Sequence, residues 1–500
     1  MVSSHALSSL LALTSVALAV PNSLVNLPRA PASVSNWPTQ LAAEYFTPKS
    51  PAYKNLTSRW STFEAPTFTA VFVPENEKDL SKGLAYLTAN KIPILAKSGG
   101  HGYSTTLVSL QHGVMINMEK FNYSRINSDY TATIGSGADF NTMVYTLGTN
   151  GREANVGSCP CVGVMGATLG GGVGRLSGLH GLASDAVRHV RLALWNGTIV
   201  EASDTINTDL FWGLRGAGQN FGIVTEMTLE TYPATNGGLN YEAQMYFNIS
   251  DLATVIDIVN GMLPLDPALA LVTIFTADPM TLETILLVNL VYLGPEAKGQ
   301  ALAKPLLDIS ISTAENIWTW VELPTKGAGG FNNLQCIDGK RQSLYGLTNK
   351  HLNASVIVEI EKDYTAMVQA NPLINGSAFL VETFAVQGVD ALPANYSAFP
   401  HRGHVNHFVD FIVSWTDDSV AKIGNNWAQK WRAVLNKPQT NGYDTVAVYQ
   451  NYGHGDEAPS ILYGTEKWRQ KKLTALKNAY DPRGVFNAYH AIPSTLAKWT

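Results

Sequence analysis

The stretch GSCPCVGVMGATLGGGVGRLSGLHG, from Gly157 to Gly181, constrains this chain more than any other feature, with eight glycines between Gly157 and Gly178. Such density presses backbone against a large flat or charged ligand, because glycine removes the side chains that would stand between them. Cys159 sits beside the helix-breaking Pro160 and is therefore presented on a loop. A small buried thiol is the ordinary fate of an unpaired cysteine. Beside so many glycines the functional reading is the stronger, since thiolate chemistry needs an accessible polar setting.

A second glycine loop, Lys97-Ser98-Gly99-Gly100-His101-Gly102-Tyr103-Ser104, follows directly on the strand-like IPILA. Backbone N–H groups in such a loop can converge on a phosphate, with the serine hydroxyls adding donors and His101 close to whatever is cradled. The spacing is not that of a Rossmann GxGxxG, and no acidic residue stands at the ribose position. A third segment, Asp209 to Val224, reads as a helix, a glycine turn and a strand whose backbone could pair with the edge of a flat heterocycle.

Five hundred residues, 45% hydrophobic and 15% charged, predict a globular chain of two domains. A net charge of −5 without a basic cluster argues against a nucleic-acid partner. The apolar run from about Ala6 to Val20 is too short for a membrane span and ends in small residues, so residues 1–19 are expected to be a signal peptide. Sites of the form N-x-S/T at Asn55, Asn122, Asn196, Asn248, Asn353, Asn375 and Asn395 suit a secretory route with N-glycans. Three cysteines do not make a disulfide scaffold, Cys159 and Cys161 are too close to bridge each other, and without a neighbouring histidine they form a poor zinc site.

Residues from about Thr69 to Ala96 predict a β-α-β unit, with Leu80, Leu84 and Leu87 as the apolar stripe of its helix. Strands are expected near 113–118, 130–136, 187–195, 198–202 and 221–231, with helices from about Gly137 and near 207–214. The turn-rich Tyr232–Gly238 is the candidate boundary to a second α+β unit with an antiparallel sheet. The last stretch, from about Tyr449, returns to the first domain.

Taken together, SGGH, GxCPxVG…GGGxG, DLFWxLRGxGxxFGIVT and YDPxxVFN resemble the berberine bridge enzyme-like family of the vanillyl-alcohol-oxidase/PCMH flavoproteins, over roughly residues 40–495. The resemblance implies an α+β fold: a PCMH-type FAD-binding domain of two subdomains over 40–235, a substrate domain over 236–445 whose antiparallel sheet is covered by helices, and a C-terminal segment 446–500 returning to the FAD domain. It also implies FAD held bicovalently, His101 bonding the 8α-methyl carbon and Cys159 bonding C6, with Cys161 a bystander or a competing nucleophile. Ser98, Gly99, Gly100, Gly102 and Ser104 would hold the pyrophosphate. Gly163, Gly166, Thr168, Gly170, Gly171 and Gly174 would line the cofactor, Gly222 and Val224 would offer backbone contacts, and Asn487 would meet the isoalloxazine ring. Val162 matches a position bordering the oxygen side, where a small residue suits an oxidase.

For the base, the resemblance favours Tyr449 of Tyr449-Gln450-Asn451-Tyr452, with Tyr103 as the other candidate. The catalytic Glu that some plant relatives carry after a PHR motif aligns with Phe408, which leaves a redox-neutral cyclase as the alternative activity. Asp410 and His407 stand nearby, and strand alternation decides which of them faces the site. His401, His404 and His407 suit a pocket or surface role rather than a metal. The expected reaction is oxidation of a hydroxyl-, amine- or benzylic-type carbon of a small secondary metabolite or sugar, with electrons passed to oxygen. The sparse charge of the central domain suggests an uncharged, partly apolar substrate.

Overall fold

The computed structural model describes residues 37–500, so the expected leader at 1–19 lies outside the described residues. Eighteen strands run in chain order: β1 Tyr45–Phe46, β2 Phe68–Phe72, β3 Ile94–Lys97, β4 Gly113–Asn117, β5 Ser124–Ile126, β6 Ala132–Gly135, β7 Arg152–Glu153, β8 Val187–Ala193, β9 Ile199–Ser203, β10 Ile223–Leu229, β11 Tyr232–Pro233, β12 Leu239–Phe247, β13 Leu269–Ala277, β14 Thr284–Tyr292, β15 Ser312–Thr319, β16 Gln342–Asn349, β17 Ala378–Phe384 and β18 His407–Ser414. They form three main sheets, ordered β1-β2-β4-β3, β5-β6-β10-β8-β9 and β15-β12-β14-β13-β17-β18-β16.

The helix Glu77–Ala89 starts where Asn76 accepts a hydrogen bond from the Asp79 N–H, and it buries Leu80, Leu84 and Leu87 as the stripe requires. The strands it joins are parallel but not adjacent: β4 lies between β2 and β3. The expected β-α-β unit is thus opened by a later strand, because β4 carries the apolar run Val114, Met115 and Ile116 and is buried at every position. The loop after β3, Ser98 to Ser104, leaves the sheet at its edge.

The seven-stranded sheet is antiparallel throughout, and alternation gives it two unlike faces. One face turns to the helices Leu252–Gly261, Ala354–Ala370 and Ala421–Leu435 and carries Phe275, Phe379 and Phe411 against Tyr364 and Trp427. The other face carries Phe408 together with Glu242, Gln244, Asn289, Glu382 and Asp410, five side chains too polar for a helix-packed core. The registers Gln244↔Asn289, Asn289↔Val272, Val272↔Glu382 and Glu382↔Phe408 align five of these strands into one row. This face looks toward the glycine-rich segments: Phe408 meets Tyr449 and Tyr452 edge-on, at ring separations of 5.8 and 6.0 Å.

A buried ion pair ties the two sides together. Arg402 donates to Asp185 (Nη1–Oδ2 3.0 Å), and both side chains are almost wholly enclosed. Removing one partner of such a pair strands the other charge, and Arg402→Ala should cost about 3 kcal/mol in urea unfolding, the low end for a buried pair. The cost is held down because Asp185 still accepts the Leu182 N–H at 3.0 Å. The double variant D185N/R402M should recover much of the loss, and a double variant as unstable as the single would refute this account.

Candidate active site

The two glycine loops pack on each other. A side chain at Gly99 would collide with the Gly163 backbone, and one at Gly163 with Gly99 and the Ser98 hydroxyl. Gly100 adopts a φ of 81°, open to glycine at no steric cost, which turns the chain so that His101 follows beside Trp60 (ring separation 5.3 Å, stacked). Arg59 donates to the Gly102 carbonyl, fixing the same turn from outside. His101 is largely enclosed, and burial pushes its imidazole down to about 4.

Cys161 is neither a bystander nor a competing nucleophile: it is bonded to Cys336, 175 residues away. The bridge sulfur of Cys161 lies 3.3 Å from His101 Nε2. Cys159 is the free thiol, partly exposed on its loop, and its surroundings push it up to about 12, so it stands protonated at neutral pH.

Other residues of the expected set divide by what they touch. Ser104 is buried and caps its own turn by accepting from the Thr106 N–H. Gly166 is open, with nothing near the position a side chain would take. Gly170 abuts Gln450 and Asn451, Gly171 abuts Phe399, Gly174 abuts the Val156 carbonyl, and Gly222 abuts the Ala193 carbonyl. At these four positions the missing side chain lets protein meet protein. Val162 anchors a helix start through its carbonyl, accepting from Phe140 N–H at 3.0 Å, and Val224 is buried in β10 against Leu192. Asn487 is exposed: Asp481 accepts from the Val485 and Phe486 N–H groups, and that turn aims the next residue outward. Tyr489, two residues on, is the one that approaches Gly102.

Several buried polar atoms around these loops have no partner: Ser98 Oγ, Tyr103 OH, Ser158 Oγ, Thr168 Oγ1, Gln219 Oε1 and His490 Nε2. Buried polar groups are nearly always satisfied, so orphaned donors and acceptors converging on a glycine cradle mark where a polar ligand belongs. The residues present fit FAD, which offers phosphates, ribityl hydroxyls and a heteroaromatic edge.

Opposite the loops stands a tyrosine and carboxyl cluster. Tyr449 OH accepts from the Gly172 N–H at 2.9 Å and from Asn451 Nδ2 at 2.6 Å, while burial pushes its phenol up to about 12. Tyr452 donates to Glu382 Oε2 at 2.5 Å. Tyr103 is pushed well up by burial and by the nearby Asp410 carboxyl. Alternation on β18 settles the choice left open there. Asp410 shares the face of Phe408, and burial raises its carboxyl far above the usual range, with Oδ1 unpartnered. His407 turns the other way and pairs through Nδ1 with Thr383 at 2.9 Å. His401 is buried nearby, whereas His404 packs on Tyr443. Glu382 was not foreseen; an acidic residue inside the apolar AFLVETF is the signal that could have found it.

Burial lowers five enclosed histidines: His101 and His401 down to about 4, His407 and His490 down to about 3, and His454 as well. Each is neutral when folded but titrates near 6.5 once unfolded, so the stability this gives is complete above about 6.5 and drains away toward 4. The urea midpoint should therefore fall steadily across that window, with a shallower slope in His407→Gln; parallel slopes would refute the assignment.

Comparison with known proteins supports FAD binding. Residues 68–203 match a FAD binding domain. The FAD-linked oxidoreductase OXR1 of Pyricularia oryzae is 34% identical over 88% of this chain and 87% of its own, and azaL of Aspergillus niger is 32% identical over 87% and 93%. Among solved structures, Physcomitrella patens BBE-like 1 superposes with a TM-score of 0.77 at 22% identity, covering 91% of this chain and 98% of that one. Glucooligosaccharide oxidase from Acremonium strictum, a protein with a 6-S-cysteinyl, 8α-N1-histidyl FAD, gives 0.77 at 20% over 91% and 98%. These define a flavoenzyme of the PCMH-type fold. The chain belongs to the FAD-linked oxidoreductases.

Proposed function

We propose that the protein is a secreted, oxygen-using oxidase whose FAD is bonded to both His101 and Cys159. When bound, FAD supplies a hydride acceptor and a route for the electrons to oxygen. The observation that carries the reading is the Tyr449 phenol, held by two N–H donors on the sheet side of the cradle. Those donors favour the phenolate, which lets Tyr449 take a proton from a substrate hydroxyl or amine. Burial raises the carboxyls of both Asp410 and Glu382, that of Asp410 far above the usual range, and both lie within the cluster as hydrogen-bonding groups. Tyr103 closes the same cluster and helps to seat the substrate. Val162 borders the oxygen side, and Ser98, Gly99, Gly100 and Gly102 receive the pyrophosphate. The disulfide supports secretion, since such bonds persist in oxidising compartments. The substrate is a small secondary metabolite or carbohydrate-type molecule.

Acid denaturation tests the core of this. Yellow colour should stay with the polypeptide, and peptide mapping should find flavin on His101 and Cys159. Release of all flavin would defeat the covalent assignment. A substrate that bleaches the holoenzyme under nitrogen, with peroxide formed on admitting air, should then appear in a screen. Turnover without bleaching would make the enzyme a cyclase instead.

A further inference from the structure

His101 ends the SGGH loop with its ring stacked on Trp60, at a separation of 5.3 Å and an angle of 21° between the planes. Stacking fixes the plane of the ring but not its flip, since turning the imidazole over exchanges its two edges within that plane. The flip is set by the Cys161–Cys336 bridge, whose Cys161 sulfur lies 3.3 Å from Nε2. The bridge is itself seated on the Trp60 side. Gly339 N–H donates to the Arg59 carbonyl at 2.8 Å and Lys340 N–H to the Trp60 carbonyl at 3.0 Å, so the stretch that supplies the stacking ring also holds the segment of Cys336. Among the described residues the other ring nitrogen, Nδ1, has no hydrogen-bond partner, and it is not one of the enclosed orphaned atoms. That nitrogen is open.

A disulfide sulfur carries no hydrogen, so it can only accept. The contact with Nε2 is therefore made by an Nε2–H. Burial keeps the imidazole neutral, and the second nitrogen then holds a lone pair. Sulfur is a weak acceptor, yet here it need only tip a choice between two forms of one ring. The opposite tautomer would set an Nε2 lone pair against those of sulfur and place the hydrogen on Nδ1, where it would block a new bond.

We propose that the Cys161–Cys336 bridge positions His101 for flavin attachment: its sulfur holds the ring in the Nε2–H form and leaves Nδ1 as the nucleophile. This rests on the covalent reading above and adds to it the linking atom and the group that selects it. Attachment forms one bond, from Nδ1 to the 8α-methyl carbon. The methyl gives up one proton and Nε2 another, and the two electrons released pass through the flavin ring to oxygen, making peroxide. Oxygen is the acceptor already proposed for the enzyme.

Peptide mapping of the purified flavoprotein tests this. In the native protein the flavin on His101 should be bonded through Nδ1, read by NMR of the isolated histidyl-flavin peptide. A bond through Nε2 would overturn the proposal, and this measurement needs no variant to fold. In C161A/C336A the flavin on His101 should fall by about tenfold while Cys159 stays linked, and visible absorption should move to that of a singly bonded flavin. C161S/C336A restores an acceptor without the tether and should recover most of the His101 linkage. Circular dichroism confirms that each variant is folded. A bridge that merely tethers the loops would act differently: both variants would lose flavin alike, Cys159 included, since it stands two residues from Cys161. That result, or full His101 linkage in C161A/C336A, would sink this proposal alone if the native protein is linked at His101. A colourless native protein would sink the covalent reading and this proposal together.

Discussion

Tyr449→Phe should slow the bleaching of the flavin by substrate by about 10²- to 10⁴-fold, the usual range for loss of a positioned base. The substitution removes one oxygen from a ring packed among Phe399, Phe408 and Tyr452, so the fold should survive it. It does leave the Gly172 N–H and one Asn451 donor without their acceptor, a stability cost of about 1–3 kcal/mol that unfolding would register separately. Substrate affinity should change far less than the bleaching rate, because the phenol acts on a proton that moves only in the reaction. In the native enzyme the rate should rise with pH, since burial sets the phenol high and ionisation is the activating step. Asp410→Asn separates the alternatives: an amide can replace a neutral carboxyl as a hydrogen-bonding partner, so this variant should keep most of its activity. If D410N instead loses as much as Y449F, the carboxyl is the base and the tyrosine positions it.

Breaking the Cys161–Cys336 bridge with paired serines should lower stability by about 5 kcal/mol, the chain-entropy cost for a loop of this span. The bond restrains the unfolded chain across 175 residues, while the folded loops keep other ties. Gly99 still packs on Gly163, and Thr62 N–H still meets the Lys340 carbonyl at 2.9 Å. The urea midpoint should therefore drop strongly while the protein that remains folded still binds flavin. A reducing agent should bring the native protein to a similar midpoint. An unchanged midpoint would mean that the unfolded chain gains nothing from release, and the entropic account would fail.

Much of the secondary structure was legible in the sequence because its signals are local. The Asn76 cap, the leucine stripe and the alternation of LALVTIFTA each sit within one element and act there. Strand order was not: nothing within Phe68–Lys97 announces that Gly113–Asn117 will enter between its two strands, since that pairing is decided by burial across the whole sheet. The glycine loops were legible because their residues cluster in sequence. The carboxyls were harder. Alignment pointed to Phe408, and only the two-residue repeat of β18 shows that Asp410 shares its face while His407 does not. The partner of Cys161 lies too far along the chain for spacing to reveal it.

The site draws on residues near positions 60, 100, 160, 175, 340, 382, 410, 450 and 490, so its parts come from almost every stretch of the described chain. Contacts of such long sequence separation form late and only in a complete polypeptide. A nascent chain that has just emerged with His101 and Cys159 still lacks Tyr449, Glu382 and the segment that bears Tyr489 and His490. Flavin binding at the assembled site should therefore follow docking of the segment that bears Tyr489 and His490, so that acquisition of colour would report the completion of folding.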